Sequence, residues 1–369
     1  MGADHDRASG SLARVSCTSG DALAADTLSD VLQTVRLTGA LFFLVDAFTP
    51  WVAEAPSSDV LAPVLLPHAQ HIVSYHVVRA GTCWCESPGQ APLPLAAGDV
   101  IVVPHGHEYA LTSEPGLRTG FSRADTLHWF REMSAGRMPF VVREGGDGPG
   151  RIEMVCGFLG CDALPFNPVL ATLPALLRIP GRAGDGDDRL GALLGYALAE
   201  SQARAAGGQS VLLRIAELVF VEVLRAHLTG LPGDTGGWLA GLRDPLVGRA
   251  LAAMHATPAE PWTLERLAHD AGASRTVLAE RFAAFTGMPP MVYLLRWRMQ
   301  VAATRLGNPS MTVAAVAAAV GYESEAAFSR AFKRCTGVPP SRWRASRPGP
   351  PVAPDSTRLP LRLRGLEDA

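Results

Sequence analysis

The order of apolar and polar positions divides the chain into a strand-rich first half and a helical second half. From Leu28 to about Pro174, short apolar runs alternate with Gly and Pro breaks, as in "ALFFLVDAF", "IVSYHVV" and "VIVVP". Runs of this length with such punctuation indicate β-strands joined by turns. The clearest pair flanks Gly98-Asp99, a turn signal, and Pro104 ends the second strand. Repeated short strands of this kind predict a barrel or a sandwich.

Two helices are predicted after a Gly- and Asp-rich linker loop at 178–188. In "RLGALLGYALAESQARA", apolar residues recur at 190, 193, 194, 197 and 198, the spacing of one helix face. The stretch "SVLLRIAELVFVEVLRAHL" at 210–228 is apolar around most of its circumference, so several of its sides should be buried. It is either a helix of the core or a helix that packs partly against a second copy of the chain.

Residues 263–337 contain one helical plan twice. In "TLERLAHDAGASRTVLAERFAAFTG" (263–287), an amphipathic helix leads to Gly272, where a turn needs a positive φ. Ser274 can cap a second helix, whose inward face carries Leu278 and Phe282. This arrangement predicts a helix-turn-helix, a motif whose second helix can enter the DNA major groove.

The segment "VAAVAAAVGYESEAAFSRAFKRCTG" (313–337) repeats this plan, with Gly321, Ser324 and Phe332 in the corresponding roles and a turn one residue longer. Each copy ends in Thr-Gly and is followed by Pro-Pro, which ends one helix and can start the next. Between the copies, "PMVYLLRWRMQVAATRLG" predicts a helix of about 17 residues, roughly 25 Å long. It would hold two recognition helices about one DNA turn, roughly 34 Å, apart.

Charge favours the same function. Residues 246–345 contain 12 Arg+Lys and 6 Asp+Glu, so 12 − 6 = +6. Since the whole chain carries −2, the remainder carries −2 − 6 = −8. A basic C-terminal module beside an acidic region is typical of DNA binding.

Composition argues against several other classes. The start, "MGADHDRASGS", lacks an apolar signal core, and no run approaches 18 apolar residues. Six cysteines are too few for a disulfide scaffold in a chain of 369 residues. We therefore expect a cytoplasmic protein with reduced thiols, and disordered tails at 1–22 and 346–369.

The C-terminal motifs resemble a known family. "GYES", "FSRAFK" and "GVPP" within 321–340 closely resemble the signature of AraC-type transcription regulators. "PWTLERLA", "SRTVLAERF" and "YLLRWRM" resemble the first half of the same DNA-binding module. The region upstream, with "GDVIVVPHG", is similar to the cupin-type sensor domain of one branch of the family. The resemblance implies a sensor that often dimerises and a C-terminal domain that binds promoter DNA, frequently to activate transcription.

The expected architecture is therefore α+β. It comprises a tail at 1–22, a cupin-like β-barrel sensor at 23–177, a helical linker or dimerisation segment at 178–245, an all-α double helix-turn-helix domain at 246–345 and a tail at 346–369. We expect a sequence-specific DNA-binding regulator, not an enzyme. Its expected partners are double-stranded promoter DNA, RNA polymerase, a second copy of the chain and an unknown small-molecule or redox effector. The alternatives are a catalytic or metal-binding cupin tethered to DNA, and a repressor with a vestigial sensor.

Helix geometry and the resemblance select the same outward positions on the two recognition helices. They are Arg275, Thr276, Ala279 and Glu280 in the first, and Glu325, Ala326, Ser329 and Arg330 in the second. A guanidinium can pair with guanine, and a carboxylate can accept from cytosine N4. Arg330 has an alternative role, because the matching family arginine often supports the fold or the DNA backbone. Glu325 has one too, as a capping or orienting group.

Other arginines are expected to contact phosphates, which position a protein on DNA without specifying sequence. They are Arg296, Arg298, Arg334, Arg342 and Arg344. Arg298 has the alternative of a structural ion pair. The tryptophans of this module, Trp262, Trp297 and Trp343, are expected to pack in the core.

The sensor contains a possible metal site. Cys83 and Cys85 should share one strand face, and His105 and His107 should do likewise, because strand side chains alternate. Four such ligands would suit zinc, although neither spacing is a standard zinc pattern. Redox chemistry at these cysteines or at Cys156 and Cys161, and ordinary packing, are the alternatives.

The usual cupin metal pattern is not kept. Tyr109 stands where the second cupin motif normally ends in His, and the strand that should carry His-x-His reads Tyr75-His76-Val77-Val78. We therefore expect no cofactor, with zinc as the alternative, and we keep a small-molecule effector inside the barrel as a possibility.

Overall fold

The structure, a computed structural model, describes residues 27–32, 37–161, 166–181, 189–203, 205–231 and 236–346. The expected tails, apart from residue 346, and most of the linker loop at 178–188 lie outside these ranges. Within the described ranges, no helix combines the length and the apolar character that crossing a membrane requires.

Strands dominate the first half of the chain, as predicted. The strands are β1 (Leu37–Phe48), β2 (Val52–Ala55), β3 (His71–Ala80), β4 (Thr82–Glu86), β5 (Leu93–Ala96), β6 (Val100–Val103), β7 (Tyr109–Thr112), β8 (Val141–Gly145), β9 (Arg151–Cys161) and β10 (Leu177–Ile179). The helices among them are α1 (27–32), α2 (Ser58–Leu65), α3 (Arg123–Ser134) and α4 (Pro168–Thr172).

The strands form two sheets that enclose one apolar core. The larger sheet has the order β10-β6-β3-β9-β1-β8, and the smaller has the order β2-β7-β4-β5. All neighbours are antiparallel except β1 and β8. Inward-facing side chains such as Phe43, Val103, Leu111 and Phe158 form the apolar core between the sheets. The predicted β-barrel is therefore confirmed.

The central strands of the larger sheet are apolar on both faces because both faces are covered. On β3, Ile72 and Val78 belong to the barrel core, whereas Val73 and Val77 belong to a second cluster on the outer face. Helices α5 (Arg189–Ala203) and α6 (Gly208–Gly230) pack on that outer face. The expected domain boundary at 177 lies inside β10, so the sheet continues past it.

Helix α6 is largely a core helix. Its buried residues include Ile215, Val219 and Val223, which join the cluster on the outer face of the sheet. Leu218 is the exception, since it is 51% exposed on the opposite side of the helix. The prediction of a helix with several buried sides holds, and one apolar position still points to solvent.

The remaining helices form the C-terminal module. They are α7 (Trp238–Arg243), α8 (Pro245–Ala256), α9 (Leu264–Ala271), α10 (Arg275–Thr286), α11 (Pro290–Leu306), α12 (Val313–Ala319), α13 (Glu325–Thr336) and α14 (Pro340–Ser346). The cluster on the outer face of the large sheet continues into this module through Trp238, Leu251 and Phe282. A separate cluster holds Phe328, Phe332 and Trp343. The C-terminal module therefore has two cores.

Candidate nucleic-acid interface

The first helix-turn-helix unit consists of α9, a tight turn and α10. Gly272 ends α9 in the left-handed conformation at φ 72°, as the sequence predicts. The Ser274 hydroxyl accepts a hydrogen bond from the backbone N–H of Val277 and so caps α10. Leu278 and Phe282 are fully buried against α9, which leaves the opposite side of α10 open to solvent.

The second unit repeats this geometry with α12 and α13. Gly321 adopts φ 82°, and any side chain there would meet the carbonyl of Ala259 at 2.5 Å. Ser324 accepts from the N–H of Ala327 and caps α13. One residue separates the turn glycine from the cap in the first unit, and two separate them here. The prediction of a turn one residue longer is therefore confirmed.

The repeated Thr-Gly-x-Pro-Pro sequence forms the same C-terminal cap on α10 and on α13. The hydroxyl of Thr286 lies within hydrogen-bond distance of the Phe282 and Met288 carbonyls, and Thr336 has the matching contacts with Phe332 and Val338. In both units the next residue is a left-handed glycine. The second proline then occupies the first turn of the following helix, α11 or α14.

Helix α11 connects the two units and also contacts the sensor. The backbone N–H of Phe166, which lies between β9 and α4, donates to Gln300 Oε1 at 2.9 Å. The Phe166 ring packs edge-on against Tyr293, with centroids 5.4 Å apart. The Tyr293 hydroxyl accepts from Trp238 Nε1 at 2.7 Å. One side of α11 is therefore fixed to the sensor and to α7.

The proposed base-reading positions lie at the solvent-facing surface of the two recognition helices. Arg275, Thr276 and Glu280 are exposed on α10 with Ala279 at the edge of this surface, and Glu325, Ala326 and Arg330 are exposed on α13 with Ser329 at the edge. Arg275 is paired with Glu265 of α9 at 2.6 Å. No hydrogen bond or ion pair holds Arg330 within the described part of the chain, so its guanidinium is available for a ligand.

The arginines expected at phosphates fall into two groups. Arg334 and Arg342 are exposed, as is Arg296, whose guanidinium lies 5.9 Å from the centre of the Phe166 ring. Arg298 instead donates to the carbonyls of Pro258 and Glu260, both at 2.7 Å. Arg344 similarly donates to two carbonyls.

For Arg298, the structure favours a role in holding the fold over a contact with phosphate. Its partners are backbone carbonyls, whereas the alternative in the sequence analysis was an ion pair with a carboxylate. Burial lowers the pKa of the Arg298 guanidinium, which agrees with its partly enclosed position. Trp262, Trp297 and Trp343 are buried, as predicted.

Sequence reasoning missed Lys333. It is exposed on α13, three residues after Arg330, and the same face carries Arg334. A helix brings residues three and four apart onto one side, so this spacing is the signal that would have found it. Arg281 shows the opposite case, because it is paired with Asp244 at 2.6 Å, and Asp244 caps α8 through the N–H groups of Leu246 and Val247.

The four proposed zinc ligands of the sensor do not form one cluster. Cys83 and Cys85 share the inward face of β4, as predicted, and are buried in the barrel core. His105 donates to the carbonyl of Leu173 at 2.8 Å, and His107 is exposed. Among the described residues, no three His, Cys, Asp or Glu side chains are grouped closely enough to hold a metal. The predicted four-ligand zinc cluster is therefore not assembled. The alternation of side chains along a strand predicts which of them share a face, but it does not predict which strands lie next to one another.

The buried thiols are poor candidates for redox chemistry. Burial raises the pKa of Cys83 and of Cys85 to about 12, so both are protonated thiols at neutral pH. Cys156 faces the barrel core, whereas Cys161 belongs to the outer cluster, so these two lie on opposite faces of β9. The geometry thus favours the packing alternative for these four cysteines.

The barrel contains a cavity of about 890 Å³. Its walls are mainly apolar and aromatic, with side chains that include Phe43, Trp51, Trp129 and Phe158. The buried His76 makes a hydrogen bond with the Tyr109 hydroxyl, with Nε2 and the oxygen 2.6 Å apart. Burial lowers the pKa of His76 to about 3, so the imidazole is neutral. Two positions that depart from the cupin metal pattern are thus hydrogen-bonded to one another.

Comparison with known proteins agrees with this geometry. A family model described as Cupin matches residues 26–229, and one described as a helix-turn-helix domain matches residues 267–346. An AraC-like transcription regulator of Streptomyces lividans is 33% identical over 75% of this chain and 88% of its own length. One of Streptomyces antibioticus is 32% identical over 86% of this chain and 98% of its own. The HTH-type transcriptional regulator AlkR of Acinetobacter baylyi is 26% identical over 86% and 99%.

These matches span both parts of the molecule. The cupin match covers the strands together with α5 and α6, and the helix-turn-helix match covers both recognition helices. The two Streptomyces relatives align with the sensor and the DNA-binding module together. This chain is a member of the AraC-type family, a DNA-binding transcription regulator with an N-terminal cupin domain.

Proposed function

We propose that the chain is an effector-controlled activator that binds promoter DNA as a homodimer. The observation that carries the proposal is the continuous apolar cluster that runs from the outer face of the sensor sheet to Phe282 of the first recognition helix. Packed cores change arrangement as units and transmit strain. A ligand that shifts the sheet would therefore act on the surface that reads DNA.

The barrel cavity is the proposed effector site. Its volume of about 890 Å³ lies in the range that small-molecule sites occupy. The cavity and the outer cluster lie on opposite faces of the same strands, so β3 and β9 contribute to both. A ligand in the barrel would thus press on the sheet that α5 and α6 cover.

Dimerisation is proposed through the outer surface of α5 and α6. Tyr196 and Leu218 are 58% and 51% exposed there. Leu218→Glu should shift the chain toward the monomer in analytical ultracentrifugation. Val277→Glu is the matched control, since Val277 is a similarly exposed apolar residue on α10. A dimer that both variants leave intact would contradict this surface.

The DNA function is tested by selecting operators from random duplexes with the purified full chain. Each protomer should protect two segments about one helical turn, roughly 10 bp, apart. Transcription with purified RNA polymerase on a promoter carrying the selected site should then rise. Repression would favour the repressor alternative, and the absence of any selected sequence would overturn the proposal.

We also propose that the cupin domain has no catalytic role and that the protein acts in the cytoplasm, where it would meet promoter DNA. The spacing of the candidate ligands supports the first point, because no three His, Cys, Asp or Glu side chains among the described residues lie close enough together to hold a metal. Metal analysis of the purified full chain checks this. A stoichiometric metal that is lost in His76→Ala would contradict it.

A further inference from the structure

The carboxylate of Glu144 lies among the mainly apolar side chains that line the barrel cavity. On β8, Val142 belongs to the barrel core, and Glu144 shares its face because strand side chains alternate. Glu144 is opposite Ala47 of β1, which is itself fully buried in that core. Burial, and then the nearby Glu144 carboxylate, raise the pKa of the Cys156 thiol on β9. Glu144 therefore points into the cavity that it lines.

Glu144 differs from the other carboxylates that line the cavity. Glu132 is paired with Arg137, Asp125 accepts from Ser122, and Glu54 accepts from the N–H of Thr119 at 3.3 Å. In the part of the chain that the structure describes, neither a hydrogen bond nor an ion pair reaches the Glu144 carboxylate. The side chain is half-buried, and burial raises the pKa of its carboxyl group. A ligand that filled the cavity would remove the remaining water from this carboxylate, which favours a ligand that supplies a partner for it.

Among the described residues that line the cavity, no basic side chain is paired with this carboxylate. His76 is neutral, Arg118 is paired with Glu86, and Arg143 and His128 are exposed. The counter-charge would therefore come with a ligand.

The surrounding walls suit an organic cation. Phe43 lies edge-on to Trp129 at 5.8 Å and stacks with Phe158 at 6.2 Å, and Trp51 lines the same cavity. Faces of aromatic rings attract cations, most strongly where water is excluded. A carboxylate among such rings selects for positive charge on an apolar molecule.

We infer that the barrel cavity binds a cationic and largely apolar molecule, such as an aromatic or alkyl amine, with its ammonium group beside Glu144. The inference rests on the proposed function and names the chemical class of its effector. A cavity of about 890 Å³ accepts ligands up to the size of a typical drug.

The test uses three probes of one shape and different charge. Benzyltrimethylammonium, neopentylbenzene and phenylmethanesulfonate are cationic, neutral and anionic, and equilibrium dialysis with the full chain measures each dissociation constant. The cation should bind most tightly. Glu144→Gln should weaken it by about tenfold or more and leave the neutral probe unchanged. Glu153→Gln, on the same sheet but paired outward with Arg79, should change neither.

Two results would overturn the inference. One is a cation that binds no more tightly than neopentylbenzene or that is unaffected by Glu144→Gln. The other is a folded protein that binds none of the three probes. Operator binding by the same preparation separates these failures from a failure of the proposed function, which would appear as the loss of sequence-specific DNA binding whatever the probes do.

Discussion

The two helix-turn-helix units share a backbone plan and differ in surface and core. Both use a left-handed glycine in the turn and a serine cap. In both, a fully buried phenylalanine, Phe282 or Phe332, anchors the recognition helix. Residues fifty apart nevertheless carry different charge on the two recognition helices: Arg275 and Glu325, Glu280 and Arg330, Ala283 and Lys333, Ala284 and Arg334. The second helix thus presents a basic face, whereas the first presents a nearly neutral one with an acidic centre.

Their cores differ as well. Phe282 belongs to the cluster that continues into the sensor, whereas Phe332 belongs to a cluster confined to the second unit and the end of α11. Duplicating a motif therefore does not duplicate its role. The basic unit is suited to hold phosphates and bases by itself, and the neutral unit is suited to respond to the sensor.

The largest loss of stability should come from removing one buried phenylalanine ring from each core in turn. Phe282→Ala and Phe332→Ala each remove a fully buried ring and should each cost about 3–5 kcal/mol of stability. Hydrogen exchange should show that Phe332→Ala loosens only α12 to α14 and the end of α11. Phe282→Ala should also loosen α7, α8 and the helices on the sensor sheet. If Phe332→Ala loosens the sensor to the same extent, the two cores are not separate.

The next prediction concerns DNA binding by the exposed surfaces of α10 and α13. Arg330→Ala should weaken operator binding by about 1–3 kcal/mol if the guanidinium reads a base. Glu280→Ala, at the corresponding position of the first unit, should relax base preference with little loss of non-specific affinity, because a carboxylate repels phosphates. Titrations of the selected operator and of single-base variants measure both changes. Unchanged affinity in a folded Arg330→Ala protein would show that Arg330 contacts neither a base nor the DNA backbone.

The sequence predicted whatever depends on neighbours within one element or turn. Gly272, Ser274 and Phe282 could be assigned because caps, turns and helix faces are local, and the same holds for the shared face of Cys83 and Cys85. Arg298 could not, since periodicity shows where its side chain points and not that the carbonyl of Pro258, forty residues away, lies there.

The barrel presents the same limit on a larger scale. The alternation of β8 would place Glu144 on one face, but only the pairing of β8 with β1 makes that face the inside of a cavity. The strand order likewise sets which loops meet, and among the described residues it does not group His105 with Cys83 and Cys85 as a metal cluster. Contacts between distant elements were therefore the part that the sequence alone left open.

Lowering the pH to 5 should reduce the stability of the core that contains His255 by about 2 kcal/mol and leave the core of the second unit unchanged. His255 is buried, stacked on Trp297 at 3.9 Å and hydrogen-bonded to Tyr293, and burial lowers its pKa from 6.5 to about 3. The unfolded chain therefore takes up a proton that the folded chain refuses, so stability falls as pH drops from 6.5 toward 3. At pH 5 the loss is about 2 kcal/mol. Residues 313–346 contain no histidine, so the second core should not respond.

Urea titrations at neutral pH and at pH 5, with hydrogen exchange to locate the change, measure this difference. His255→Gln keeps a hydrogen-bond donor toward Tyr293 without a titrating ring, and it should remove part of the acid sensitivity. The remainder is assigned to His76, His71 and His227, because burial lowers the pKa of each of these histidines as well. A variant with the full sensitivity of the native chain would show that His255 is not responsible.

The smallest effect should be equal in the two units. Ser274→Ala and Ser324→Ala each remove one capping hydrogen bond and should each cost about 1 kcal/mol, measured as the midpoint shift in urea. Ser→Thr at either site keeps a hydroxyl and serves as the control. Equal costs mean that the caps are local, as their shared sequence indicates, and that the units differ only in what surrounds them. A cost confined to Ser274→Ala would mean instead that the turn of the first unit unfolds together with the sensor core. The first unit would then be coupled to the sensor from its turn onward, whereas the second unit would be independent of it.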